Sequence, residues 1–230
     1  MNKINYNLYL KIYLTALFLF AVYFFFQKYN NLVEWTISEW LINYQGGFTR
    51  RGFIGEIVFQ FSKLLTLTIR ETILLFQIIS YSIFFYLIFQ IIKNTNKHLL
   101  LIFAVFSPLF IIYPISEVEV LGRKEIFTFI AFLLTIKIFS LNNIRNKHYI
   151  YFSIILMISC LIWEGIIIYL SYFIFILFLK NNFILNKIFL TRLILCMLPI
   201  FISLYFIIFF RLDDNGLKTM CESINECYGA

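Results

Sequence analysis

The chain is 230 residues long, with 62% hydrophobic, 21% aromatic and only 13% charged residues. Soluble domains average about 25% charged residues, so this composition excludes a soluble globular domain. The formal net charge of +7 does not imply nucleic acid as a partner, because the basic residues sit in short connections between apolar runs, the pattern of positive-inside membrane topology.

The first apolar run covers about 8–26, behind Lys3 and overlapping Lys11. It ends in Tyr23-Phe24-Phe25-Phe26-Gln27-Lys28, which offers no small-residue cleavage site, so it reads as a retained helix rather than a signal peptide. At 1.5 Å per residue it spans roughly 28 Å, enough to cross a hydrocarbon core. Further apolar runs lie at about 73–92, 99–115, 126–141, 150–163, 166–179 and 193–210. Backbone in lipid has to satisfy its own hydrogen bonds, so these too are predicted helices. Pro108, Pro114 and Pro199 predict kinks within them.

The fold expected is all-α: a polytopic transmembrane helical bundle of about seven spans (six to eight), forming a single integral membrane domain over 1–230. The count turns on 150–179. As one helix of about thirty residues that stretch would measure roughly 45 Å and put Glu164 near the membrane midplane, at a cost of several kcal/mol. Gly165 beside it permits a turn, which favours two short helices in a hairpin that does not fully cross.

All twelve carboxylates fall in alternate connections, and the remaining connections hold only Lys, Arg and His. Basic density then predicts a multi-pass protein of the cell inner membrane with a cytoplasmic N-terminus and an acid-bearing outer face. That face has a long first loop over 27–72, with interfacial amphipathic helices, and a tail over 211–230 with nothing obvious to anchor it, which keeps a truncated reading frame open. Cys221 and Cys227 on that side are expected to close a small disulfide loop, with reduced thiols as the alternative. Cys160 and Cys196, inside apolar runs, read as packing residues. His98 and His148 lie among inner lysines and suggest neither metal nor catalysis.

The outer face carries the chemistry. Trp35, Trp40 and Tyr44 alternate with Glu34 and Glu39, the composition of a helix at headgroup level. Gly46-Gly47-Phe48-Thr49-Arg50-Arg51 then opens an amphipathic helix with Ile54, Ile57, Val58, Phe61, Leu64 and Leu65 on one side. Glycines that admit backbone N–H groups, a helix N-terminus and two guanidiniums make a sensible phosphate site; simple anchoring to lipid headgroups is the plainer alternative. In the second outer loop, Arg123 or Lys124 would join that pair, with Glu117 or Glu119 as proton acceptor, unless the loop is only solvated. Glu164, a lone carboxylate between apolar runs, is a candidate general base if desolvation raises its pKa, or else a turn residue in contact with water. Asp213-Asp214 could hold Mg²⁺ or simply mark a solvated helix exit.

Gly46 to Glu56, Gly122-Arg123-Lys124-Glu125 and Trp163-Glu164-Gly165 together resemble bacterial membrane proteins of surface-polysaccharide gene clusters, and in layout multi-spanning glycosyltransferases that use polyprenyl-linked sugars and O-antigen polymerases. The resemblance implies sugar transfer or polymerisation from a polyprenyl-diphosphate carrier at the outer face, with membrane lipid and a polyprenyl-linked sugar or oligosaccharide as partners. It also implies a catalytic carboxylate in the first outer loop, here Glu34, Glu39 or Glu56, beside Glu164. Arg50, Arg51, Arg123 and Lys124, with Gly46 and Gly47, would bind the substrate. No metal ligand set emerges and no cofactor is specified. A non-enzymatic carrier of a lipid-linked or anionic solute, or a helper subunit, is the alternative.

Overall fold

A computed structural model describes residues 6–31, 35–95, 99–107, 117, 119–141, 143–210 and 212–224. Among them the chain is all-helical, with no strand. The helices are α1 (Tyr6–Tyr29), α2 (Trp35–Leu41), α3 (Gly52–Leu65), α4 (Ile69–Lys93), α5 (Leu99–Phe106), α6 (Ile126–Phe139), α7 (Asn146–Ile162), α8 (Leu170–Lys180), α9 (Lys187–Phe209) and α10 (Asp214–Ile224). Their starts follow local chemistry. Thr68 and Glu71 form a reciprocal capping box at α4, and the Asn186 side chain accepts from the Phe189 N–H at α9. Pro199 lies inside α9 without ending it, whereas Pro108 and Pro114 fall outside the described residues.

Among the described residues three helices, α1, α4 and α9, are long and apolar enough to cross a membrane, against the seven spans expected. The helices α6, α7 and α8 are apolar but have only 14, 17 and 11 residues. The break expected at Glu164 is present. Trp163 is extended (φ −154°, ψ 109°) and stops α7, and a 3-10 turn over Glu164–Ile167 leads into α8.

Side-chain contacts fix the helix directions. Tyr169 meets Phe129 near the starts of α8 and α6, while Lys180 donates to the Leu141 carbonyl beyond their other ends, so these helices run parallel. Phe139 packs on Tyr149 and Phe152, so α7 returns antiparallel to α6. Arg192 reaches Asn146 near the start of α9, and Phe206 near its end meets Phe48. Lys28 and Phe25 of α1 sit beside Leu121 and Tyr81. The bundle thus has two chemically distinct ends. One gathers the described acidic residues, from Glu39 to Glu222. The other holds Lys93, Lys137, Arg145, Lys180, Lys187 and Arg192.

Two apolar cores share α6 as a wall. Ile126 and Ile130 pack with α1 and α4, and Ala131 and Phe139 with α7, α8 and α9. A third core at the acidic end joins Trp40, Ile54, Val58, Ile73, Ile162 and Ile224. It overturns one expectation: the tail is anchored, because α10 buries Gly216, Met220 and Ile224 against this end. Trp40 is fully buried within this core. The apolar side of α3 is also divided. Ile54, Val58 and Phe59 are buried, whereas Phe61, Leu64 and Leu65 are exposed, because Gly55 brings α3 against the backbone at Ile42 and Trp40 along a different stripe.

Candidate functional site

The three motifs separated in sequence converge at the acidic end. Arg51 sits in the left-handed region (φ 63°) immediately before α3, an uncommon conformation for a residue with a Cβ. From there its Nε and Nη2 donate to the Glu164 carboxylate at 2.9 and 2.8 Å. Its Nη1 lies 3.5 Å from Glu39 Oε1, and the same oxygen accepts from Arg123 Nη2 at 3.1 Å. Arg123 also pairs with Glu125. The result is an alternating chain, Glu164–Arg51–Glu39–Arg123–Glu125, drawn from the turn after α7, the start of α3, α2 and the loop before α6.

Beneath it lies Lys124, fully buried, its Nζ donating to the Arg51 carbonyl at 2.6 Å. A rigid cradle aims this loop. Gly122, at φ +91°, has its carbonyl held by Trp40 Nε1 at 2.8 Å and Gln77 Nε2 at 2.9 Å, while its N–H donates to the Tyr81 hydroxyl. Any Cβ there would lie 2.8 Å from Gln77 Nε2. Lys28 adds a hydrogen bond to the Leu121 carbonyl at 2.8 Å.

Three carboxylates on two guanidiniums leave one negative charge unbalanced, so the cluster needs one further proton, on Lys124 or on a carboxyl. Burial lowers the Lys124 ammonium from its ordinary 10.5 to about 7, against the pull of Glu39, Glu164 and Glu125. Burial also raises the Glu125 carboxyl, whose Oε2 is buried without a hydrogen-bond partner among the described residues. Glu164 behaves oppositely to the expectation of a raised base. Burial pushes it up, but the Arg51 hydrogen bond and charge outweigh that, and it sits below the ordinary carboxylate range.

Of the residues named from sequence, Glu39, Arg51, Arg123, Lys124 and Glu164 come together. Arg50 is exposed and makes no hydrogen bond among the described residues, its charge reaching Glu164 only through space. Glu56 is a loop latch, accepting from the Tyr44 N–H, Gln45 and Gln60 at 2.9, 2.8 and 2.7 Å. Gly46 and Gly47 permit a close backbone approach within the protein. A Cβ on Gly46 would sit 1.9 Å from the Gly216 carbonyl, and one on Gly47 would meet Leu212, so this turn is flattened against the approach to α10. Asp213 accepts from the Gly216 N–H at 2.8 Å, a helix-starting contact. Glu34 lies outside the described residues. His148 Nδ1 accepts from the Arg145 N–H at the start of α7. Cys160 and Cys196 are buried free thiols. Cys221 is disulfide-bonded, and Cys227 lies outside the described residues.

Sequence reasoning missed Glu125 as a site residue and the Trp40, Gln77 and Tyr81 cradle. The one available signal was Gln77 and Tyr81 at i and i+4 in a mostly apolar run, polar groups on one helical face. No family model, no curated protein and no solved structure matches this chain.

Proposed function

We propose that this protein works in envelope polysaccharide assembly in the inner membrane, with its N-terminus cytoplasmic and the acidic end outward, and that it transfers or polymerises sugars from a polyprenyl-diphosphate carrier. On this reading the shorter apolar helices complete the membrane bundle around the three long ones. The observation that carries the reading is the alternating chain of Arg51 and Arg123 with three carboxylates, half-buried where apolar helices end. An arriving phosphate competes with carboxylates for guanidinium donors, because both accept the same two-pronged hydrogen bonding. Displacing Glu164 from Arg51 removes what holds its pKa down, and its burial then drives it to take a proton, as a base for an acceptor hydroxyl must. The arginines meanwhile stabilise the departing diphosphate. Glu164 then passes that proton on, to the Lys124 amine when it is neutral or to water, which returns the cluster to rest.

The test is the surface-polysaccharide ladder of a clean deletion strain complemented with wild type, Arg51→Ala or Glu164→Gln. A ladder shortened by deletion and restored by wild type, but by neither variant, supports sugar transfer or polymerisation. An unchanged ladder in the deletion strain removes the reading.

A further inference from the structure

A second concavity lies beside the charged cluster, against the end of α1, with a volume of about 700 Å³. Its walls are Tyr23 and Trp35, and its polar groups are Gln27, Asn31, Glu119 and Lys28. Tyr23 is 57% and Trp35 48% exposed, so both rings present substantial surface to an incoming molecule. Trp35 belongs to both places, because the Arg123 guanidinium packs over its ring at 4.4 Å.

The charge pattern selects the occupant. A phosphate-bearing headgroup needs free cationic donors. Among the described residues lining it the one cation, Lys28, is only 5% exposed and already donates to the Leu121 carbonyl and the Thr36 hydroxyl. The two arginines at its rim are engaged, Arg70 with the Asn31 carbonyl and Arg123 with Glu39 and Glu125. Glu119 adds a negative charge, which repels an anion. What remains is two amide side chains and a carboxylate, able to accept and donate to hydroxyl groups, beside aromatic faces that pack on the apolar C–H side of a ring. That combination suits a neutral, polyhydroxylated ring.

We infer that the cavity bounded by Tyr23, Gln27, Asn31, Trp35 and Glu119 is a sugar subsite, which takes an uncharged pyranose while the neighbouring arginines take phosphate. The inference deepens the reading above and rests on it for the identity of the sugar's carrier. The subsite itself can be tested without that reading.

The experiment is saturation-transfer NMR on the full chain in phosphatidylcholine nanodiscs, with methyl β-glucoside and methyl N-acetyl-β-glucosaminide as probes and glycerophosphocholine as the competing headgroup. Wild type should transfer to at least one glycoside and not to glycerophosphocholine. Tyr23→Ala and Gln27→Ala, each checked for an unchanged melting temperature, should weaken the glycoside signal about fivefold, and Lys180→Ala at the opposite end of the bundle should leave it intact. The inference is overturned by transfer to neither glycoside, by equal transfer to glycerophosphocholine, which marks a lipid contact, or by a signal that survives both cavity variants. If the ladder depends on Arg51 but no glycoside binds, the subsite fails and the function stands. If glycosides bind but deletion leaves the ladder unchanged, the subsite stands and the function fails.

Discussion

The two ends of this bundle carry similar cations and treat them by different rules. At the basic end, Lys180 donates to the Leu141 carbonyl, and Arg192 packs over Tyr149 and reaches Asn146, all with their charged heads exposed. Such side chains lay their stems on apolar surface and keep the charge in water, which costs little. At the acidic end, Lys28 and Lys124 are buried, and the arginines are held by carboxylates on other segments. There the charges organise the chain, tying Arg51 to a partner 113 positions away and Lys124 to a carbonyl 73 positions away. Cations at the basic end follow the fold, whereas those at the acidic end specify it.

Breaking the acidic end should therefore be costly in proportion to how much backbone it displaces. Gly55→Ala places a Cβ 1.8 Å from the Ile42 carbonyl. It should separate α3 from the α2 connection at about 3 kcal/mol or more, seen as loss of monodisperse protein after detergent extraction. Lys124→Met sharpens the contrast through pH. The folded chain binds fewer protons than the unfolded one between about 7 and the ordinary 10.5 of Lys124. Stability should therefore rise with pH across that window, and the deficit should be fully present below it. Arg51, Arg123, Glu39, Glu125 and Glu164 are the charged groups around this site. The melting temperature of Lys124→Met should consequently lose that slope relative to wild type, and parallel profiles for the two proteins would remove Lys124 as a neutral buried amine.

Glu164→Gln keeps the shape but strips Arg51 of its nearest counter-charge. Because both side chains are roughly a quarter exposed, the expected cost is about 1–2 kcal/mol, measured by thermal melting. Lys180→Ala at the opposite end should stay within about 0.5 kcal/mol. A larger loss for Lys180→Ala than for Glu164→Gln would reverse the comparison.

Much of this was legible from the residues. The apolar runs map onto α1, α4 and α6 to α9, and the Glu164-Gly165 pair marks the break between α7 and α8. Arg51, Arg123, Lys124 and Glu164 were readable as candidates because charge next to long apolar runs is costly and needs a reason. Their pairing was not readable. Glu164 looked like a raised carboxyl because burial alone would raise it, and the sign reverses through the Arg51 hydrogen bond and charge together with a backbone hydrogen bond and the Arg50 charge. Glu56 had the same composition-level credentials and proved to latch Tyr44 and Gln45. The glycine pair at 46–47 looked like a phosphate turn, yet the close approach it permits is to Gly216.

By itself the sequence determined the helical class, the apolar segments and the segregation of acids to one end, because run length, hydropathy and charge order are local properties of the chain. Only the tertiary structure decided which acid meets which base, that Lys124 is buried beneath them, that the tail docks as α10, and that among the described residues only α1, α4 and α9 attain spanning length. Those outcomes depend on how closely helices approach and on which side chains occupy the space between them. Neither quantity is fixed until segments distant in the chain have packed.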